Sequence, residues 1–397
     1  VKLAVVARST IAHRVGGMET HAASLARSAA RLGHAVTVVS TSHPSGLAEE
    51  LRDGARYRYL PGTPPTLLTA AWRRESLRAV RDLARHEGVD LVLSLGLSGC
   101  GLADADPGVP HHAVAYGEVI AHLVSEWHEA HGLRGWLAFP KSALALLYYA
   151  RLERRLWSRA DGVIATDARL HRRLQRQGHR VRLGYTGIDL GPFGADPEAR
   201  ASVRRRHGIA ADARVLLMVS TVNRQKGVWL GAEVFRTVAA RDPRLQLVLV
   251  GDGPAMSDVR ARLGELVRAG RAHLAGTVAL DRLPPYYAAA DVFMAPTLRM
   301  EGLPMTIIEA AAAGLPIIAA ARGGIESAVQ DGVTGILVKA GDASGFTAAL
   351  GRVLADPGWA AALGRRARQL AGERFDQMAS TERMLRDIAT EGADALR

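Results

Sequence analysis

The chain has 397 residues, enough for two domains that each bury a core, and with 48% hydrophobic and 23% charged residues it is globular rather than disordered or fibrous. A single cysteine, Cys100, excludes an intrachain disulfide framework and leaves no thiolate cluster for a structural zinc. The formal charge of +12 is uneven, since residues 1–186 carry 25 Lys and Arg against 16 Asp and Glu; that half should prefer an anionic partner, although the excess of Arg and Ala is also what a biased genome composition would leave.

No run approaches the ~20 apolar residues of a membrane span, and the sequence opens directly on a strand rather than a secretory leader, so a cytoplasmic location is expected. Nucleic acid is not expected as a partner, because the basic residues lack the interleaved aromatics of an RNA or DNA module. A strand over 2–7, a helix over 20–31 and a strand over 35–40 predict a βαβ unit. Between its first strand and helix, Gly16 and Gly17 permit close backbone approach, so a phosphate or sugar can rest there; a plain flexible turn has the same letters. Strands over 56–60, 90–94 and 113–116 and a helix over 67–86 continue the alternation. Asp104-Ala105-Asp106 has the D-x-D form of metal-dependent sugar transferases, but it lies in a polar loop beside Pro107 rather than after an apolar strand, and no metal is expected.

From 134 to 157 Trp, Phe, Leu and Tyr gather, bordered by Arg151, Arg154, Arg155 and Arg159 and then by Arg169, Arg172, Arg173 and Arg176. Such a face suits a helix lying on an anionic bilayer, each Lys or Arg adding about 1 kcal/mol, and equally a core helix with a solvated outer side. Because charge and aromatics coincide, peripheral attachment to the inner face of the cell membrane is the expectation. A strand over 161–166, a helix over 168–177 and a strand over 181–185 complete a first domain at 1–186. Gly, Pro and charged residues over 191–206 predict a linker.

A second domain, 187–375, opens with a strand over 214–220 and a loop carrying Arg224 and Lys226. A strand over 245–250, the turn Gly251-Asp252-Gly253-Pro254, a helix over 256–269 and a strand over 273–276 follow. Next, a strand over 292–295 leads through Glu301 into a helix over 304–313 that carries Glu309; Gly314 closes it before a strand over 317–320. Both acids can then border the C-terminal edge of a parallel sheet, where ligands bind in open α/β folds. The backbone at Gly302, Leu303, Pro304 and Met305 meets the helix N-terminus, which favours phosphate, and a carboxylate can accept from vicinal hydroxyls. A nucleotide sugar fits that description; so does an ordinary α/β turn with two solvated acids. A strand over 336–338 and helices over 343–354, 358–374 and 377–390 end the pattern, the last in a C-terminal segment, 376–397.

E-G-L-P-x-x-x-x-E-A-x-x-x-G-x-P over 301–316, G-G-x-E over 323–326 and D-G-x-T-G over 331–335 resemble the donor-binding signature of family-4 retaining glycosyltransferases of the GT-B architecture. G-G-x-E-x-H from Gly16 and G-H-x-V-T-V from Gly33 extend the resemblance to the N-terminal part. It implies two Rossmann-like α/β domains facing each other across a deep cleft, the donor bound by the second and the acceptor by the first, with the last helix returning to the first. The implied reaction moves a sugar from a nucleoside diphosphate, UDP or GDP type, to a hydroxyl of a lipid-linked, polysaccharide or small-molecule acceptor, with retention and without metal or further cofactor. Rival readings are a nucleotide-sugar epimerase on the same fold and a catalytically silent sugar-nucleotide-binding protein.

The resemblance also distributes roles. Gly16 and Gly17 look like the loop that closes over the donor, Gly251 allows close approach to it, and the loop with Arg282 resembles the one that meets the base. Lys226 matches the family's diphosphate lysine; Thr221 stands where an arginine would be, and Arg224 is its candidate replacement. Family members commonly have a histidine after the strand over 113–116, pointing at the transferred sugar. Tyr116 stands there instead, with Glu118 and His122 near enough in sequence to take a polar role, and the sequence does not choose between them. Thr186-Gly187-Ile188-Asp189 resembles an N-G-x-D domain junction with Thr for Asn.

Overall fold

The computed structural model describes residues 1–14, 16–118 and 132–394, which form two compact units. The first has strands β1 (Lys2–Val6), β2 (Ala35–Thr41), β3 (Glu49–Arg52), β4 (Ala55–Leu60), β5 (Leu91–Leu95), β6 (His111–Ala115), β7 (Gly162–Ala165) and β8 (Val181–Leu183). They lie in the order β3-β4-β2-β1-β5-β6-β7-β8, all parallel except β3, which runs antiparallel to β4. Helices α1 (Gly17–Arg31), α2 (Ala70–Glu87), α3 (Gly132–Arg159) and α4 (Ala168–Arg176) connect them. Successive side chains of a strand face opposite ways, and both faces are covered here. Leu3 and Val5 pack with Ala22 and Leu25 of α1, while Ala4 and Val6 pack with Trp72 and Leu83 of α2.

The second unit begins at Asp189 with α5 (Pro197–His207) and has an all-parallel sheet of β9 (Arg214–Val219), β10 (Leu245–Val250), β11 (Ala272–Gly276), β12 (Val292–Ala295), β13 (Ile317–Ala320) and β14 (Gly335–Val338). Their order is β11-β10-β9-β12-β13-β14. Strand order therefore reverses between β9 and β12, and the loops leaving those two strands flank the crevice that such a reversal opens. Its helices are α6 (Val228–Ala239), α7 (Met256–Arg268), α8 (Pro284–Ala289), α9 (Met305–Ala312), α10 (Ala343–Ala355) and α11 (Pro357–Phe375). Leu230, Val234 and Phe235 of α6 and Phe346 and Leu350 of α10 cover one face of β9 and β10.

The chain returns to the first unit in α12 (Gln377–Asp394). Gln377 Nε2 donates to the Ser24 carbonyl at 3.0 Å and to Ser28 Oγ at 2.7 Å. Met384, Leu385 and Ile388 join the core against Leu3 and Val5. Gly187 is where the two stretches meet: a Cβ there would lie 2.6 Å from Gln377 Cα.

One expectation is corrected, and three elements were not anticipated. The linker over 191–206 is largely α5, whose Gly, Pro and charged letters are end signals and inward anchors rather than loop composition. Asp196 caps it by accepting from Ala199 N, Pro197 opens it and Gly208, at φ 64°, closes it. β3, the polar sequence Glu-Glu-Leu-Arg, is an edge strand without the apolar alternation that would announce one. Helices α6 and α8 also went unanticipated: the first is amphipathic, with Glu233 and Arg236 on its outer side, but follows the loop of Arg224 and Lys226 without a side-chain cap, and the second is six residues opened by two prolines.

Candidate active site

The loops after β9 and β12 meet through glycine. Gly227 has φ 64°, and a Cβ on it would lie 2.0 Å from the Pro296 carbonyl. Leu298 N donates to the Gln225 carbonyl at 2.8 Å, and Thr297 Oγ1 lies 3.1 Å from the same carbonyl. Gly323, φ 63°, does the same on the other side: its Cβ would lie 1.9 Å from the Glu301 carbonyl, which accepts from Gly324 N at 2.9 Å. Gly251, φ 122°, leaves room for the Ser220 carbonyl.

Held this way, Lys226 Nζ donates to Glu301 Oε1 at 2.7 Å and Thr297 Oγ1 donates to the same oxygen at 3.1 Å. The Lys226 backbone N–H is bound by Asn223 Oδ1 at 2.9 Å, fixing the loop. A pocket opens beside this pair, lined by Ser220, Lys226, Thr297, Glu301, Pro304 and Thr306. Pro304 caps α9, Gly302 and Leu303 lead into it, and Met305 is its first residue. Glu309, on the same helix, is 8% exposed and accepts from the Tyr287 hydroxyl at 2.6 Å. Burial pushes the Glu309 carboxyl up, against the opposing effect of that hydrogen bond.

Arg224 stands apart from this pair: its side chain is 64% exposed and Nη2 lies 3.5 Å from Asp258 Oδ2. Arg282 ends an exposed 3-10 turn, Leu280–Arg282.

In the first unit Gly16 precedes α1 in extended conformation, and a Cβ on it would lie 2.6 Å from Glu19 Oε2. Glu19 folds back over this glycine, where Arg14 Nε donates to Oε1 at 2.7 Å. Burial would raise the Glu19 carboxyl, but the Arg14 guanidinium on Oε1 leads the contributions that bring it below its ordinary value. Gly17 is the first residue of α1.

Tyr116, just past β6, pairs its hydroxyl with His21 Nδ1 of α1, the rings edge to face at 5.4 Å. Burial pulls His21 down to about 4 and pushes the phenol well up, so both are neutral and the imidazole tautomer sets which of them donates. Glu118 is buried with Oε1 2.8 Å from Arg173 Nε; burial raises its carboxyl, and Arg173, Arg169 and Arg154 oppose that. His122 lies outside the described residues. Asp104 accepts two hydrogen bonds from Arg73, at 2.6 and 2.8 Å.

Sequence reasoning missed His21, Thr297 and Tyr287 as members of these clusters. His21 was already the last letter of G-G-x-E-x-H, but its partner lies 95 positions away, and only the packing of α1 on β6 joins them.

Two α/β units with largely parallel sheets, the second with glycine-locked loops carrying a Lys–Glu pair at its switch point, have the GT-B architecture. Residues 15–191 match the description Glycosyltransferase Family 4 and residues 213–356 the description Glycosyl transferases group 1, and the chain belongs to the family-4 glycosyltransferases. It is 32% identical, over 58% of its length and 60% of the relative's, to a GDP-mannose-dependent alpha-(1-6)-phosphatidylinositol monomannoside mannosyltransferase of Mycolicibacterium smegmatis. The chain thus spans about three fifths of that relative. A D-inositol 3-phosphate glycosyltransferase of Thermobispora bispora is 29% identical over 96% of this chain and 90% of its own. Sucrose-phosphate synthase from Thermosynechococcus elongatus shares the fold, with a TM-score of 0.78, 23% identity and 99% of both chains covered.

Proposed function

We propose that this glycosyltransferase moves a sugar from a UDP- or GDP-type nucleoside diphosphate to a hydroxyl acceptor, with retention at the anomeric carbon and without a metal ion or other cofactor. The observation that carries the reading is the Lys226–Glu301–Thr297 assembly at the switch point of the second sheet. Negative charge grows on the diphosphate as the glycosidic bond breaks, and a cation already fixed beside it stabilises that change. Glu301, with one oxygen held by Lys226 and Thr297, offers the other to a sugar hydroxyl, and Glu309 takes the ribose hydroxyls. The N-terminus of α9 from Gly302 to Met305 receives phosphate. Acids that flank a glycosidic bond do hydrolytic work; these two belong to one helix-and-loop segment, which supports hydroxyl binding.

The name of the M. smegmatis relative puts GDP-mannose first in a donor screen and a lipid-linked acceptor first among acceptors. No described helix is long and apolar enough to cross a membrane. Access to a lipid acceptor would come through α3, where Leu144, Leu147 and Tyr148 are 70, 55 and 54% exposed beside Arg151, Arg154 and Arg155. The first unit would then rest on the anionic inner face of the cell membrane.

Incubation with UDP- and GDP-sugars, following nucleotide release with and without acceptor, tests the reading. Acceptor-dependent release and a product with the donor's anomeric configuration by NMR support it. Isomerised donor without release points to an epimerase, and donor binding without turnover to a silent binding protein.

A further inference from the structure

We infer that Arg322 supplies the second cation of the donor diphosphate site, in place of the arginine that Thr221 displaces; this rests on the donor reading above and adds a residue to it. Arg322 stands two residues beyond β13, at the C-terminal edge of the second sheet, and β13 is hydrogen-bonded to β12, whose following loop carries Glu301. Its backbone position is fixed against that loop: Gly323 packs without a Cβ on the Glu301 carbonyl, and Gly324 N donates to it at 2.9 Å.

The guanidinium is half-buried, and among the described residues it faces no carboxylate. Its Nη1 lies 3.8 Å from Met300 Sδ, and its Nε is shut off from solvent without an acceptor. A thioether is a weak acceptor, so a part-buried cation there keeps an unmet demand for a negative partner. Lys226 alone does not satisfy a diphosphate, because Glu301 already neutralises it. Arg224 is in the opposite situation, well solvated and beside Asp258, and would have to leave that acid to reach phosphate. Of the two arginines, Arg322 gains more from an arriving dianion.

Binding of GDP, UDP, guanosine and uridine to the full chain and to Arg322→Gln, Arg322→Lys and Arg224→Gln tests this, with calorimetry for the diphosphates and ligand-observed NMR for the nucleosides. Arg322→Gln should lose about tenfold or more in diphosphate affinity, as for a hydrogen bond to a charged group, with nucleoside binding unchanged. Arg322→Lys should keep part of the affinity, and Arg224→Gln should stay within about twofold of the parent. Equal diphosphate affinity in Arg322→Gln and the parent overturns the inference. So does an equal loss for nucleosides and diphosphates, which would mark a structural role through the Glu301 loop. If the parent binds none of the four, the donor reading itself fails and takes Arg322 with it.

Discussion

Lys226 and Glu301 leave different strands 75 residues apart, and each would be a half-solvated charge without the other. Lys226→Ala should lower the turnover number by roughly a hundredfold, the scale for deleting one preorganised stabiliser, while the donor's dissociation constant changes less. Single-turnover kinetics beside equilibrium binding separates the two. Glu309→Ala should weaken nucleoside diphosphate binding by about 1.5 to 3 kcal/mol, as for hydrogen bonds to a charged acceptor, and calorimetry reads it directly. Unchanged affinity in the folded variant would remove Glu309 from the site. His21 gives a pH signature. Its native value near 4 lies below the ordinary 6.5, so between those values the unfolded chain binds the extra proton, and stability present above pH 6.5 is lost as pH falls toward 4. Burial lowers His111 to about 4 as well, so His21 supplies about 3 kcal/mol of the fall in stability that melting temperature reads across that window, and His21→Gln should remove that share of the slope while His111 keeps its own.

Among the elements, α5 holds the second unit together through arginines that point inward. Arg204, 5% exposed, donates to Asp291 Oδ2 at 2.8 Å and to the carbonyls of Ala289, Ala210, Ala211 and Ala213, while Arg200 holds Asp291 Oδ1 at 2.7 Å. Arg204→Ala removes the side-chain donor from those carbonyls and the ion pair from Asp291 Oδ2, which keeps the Val215 N–H at 2.7 Å, and urea unfolding should show a loss of about 3 kcal/mol. The same helix shows what sequence could and could not reveal. Strands such as Leu245–Val250 and Ile317–Ala320 were legible because short apolar runs between turn residues have few other uses. In α5 the buried face is carried by Val203 and Arg204, so its composition imitates a solvated linker. The acids of the site were legible from motif letters at fixed spacing within one element. The His21–Tyr116 bond and the Arg224–Asp258 pairing depend on which elements pack together, which no local spacing encodes.

For the whole molecule, the charge surplus of nine in residues 1–186 and of three in the rest gives a direction to any anionic surface it meets. Helix α3 has one buried and one exposed face. Leu152, Leu156 and Trp157 are buried, the last two in the core beside Ala113 and Val163, whereas Leu144, Leu147 and Tyr148, one turn apart, stay in solvent. Exposed apolar residues at that spacing can insert shallowly into a bilayer while Arg151 and Arg154 remain at the headgroups. Each of those arginines adds about 1 kcal/mol only where the lipid is acidic, and salt shortens the reach of the attraction. Co-sedimentation should therefore recover the protein with phosphatidylglycerol-containing vesicles, less at high salt and little with neutral vesicles. Leu147→Glu should weaken recovery at every salt concentration, because it removes the apolar contact, while Arg151→Gln should weaken it mainly at low salt. Equal recovery with neutral and acidic vesicles, or none with either, would separate this chain from the membrane and turn the search for the proposed acceptor toward soluble hydroxyl compounds.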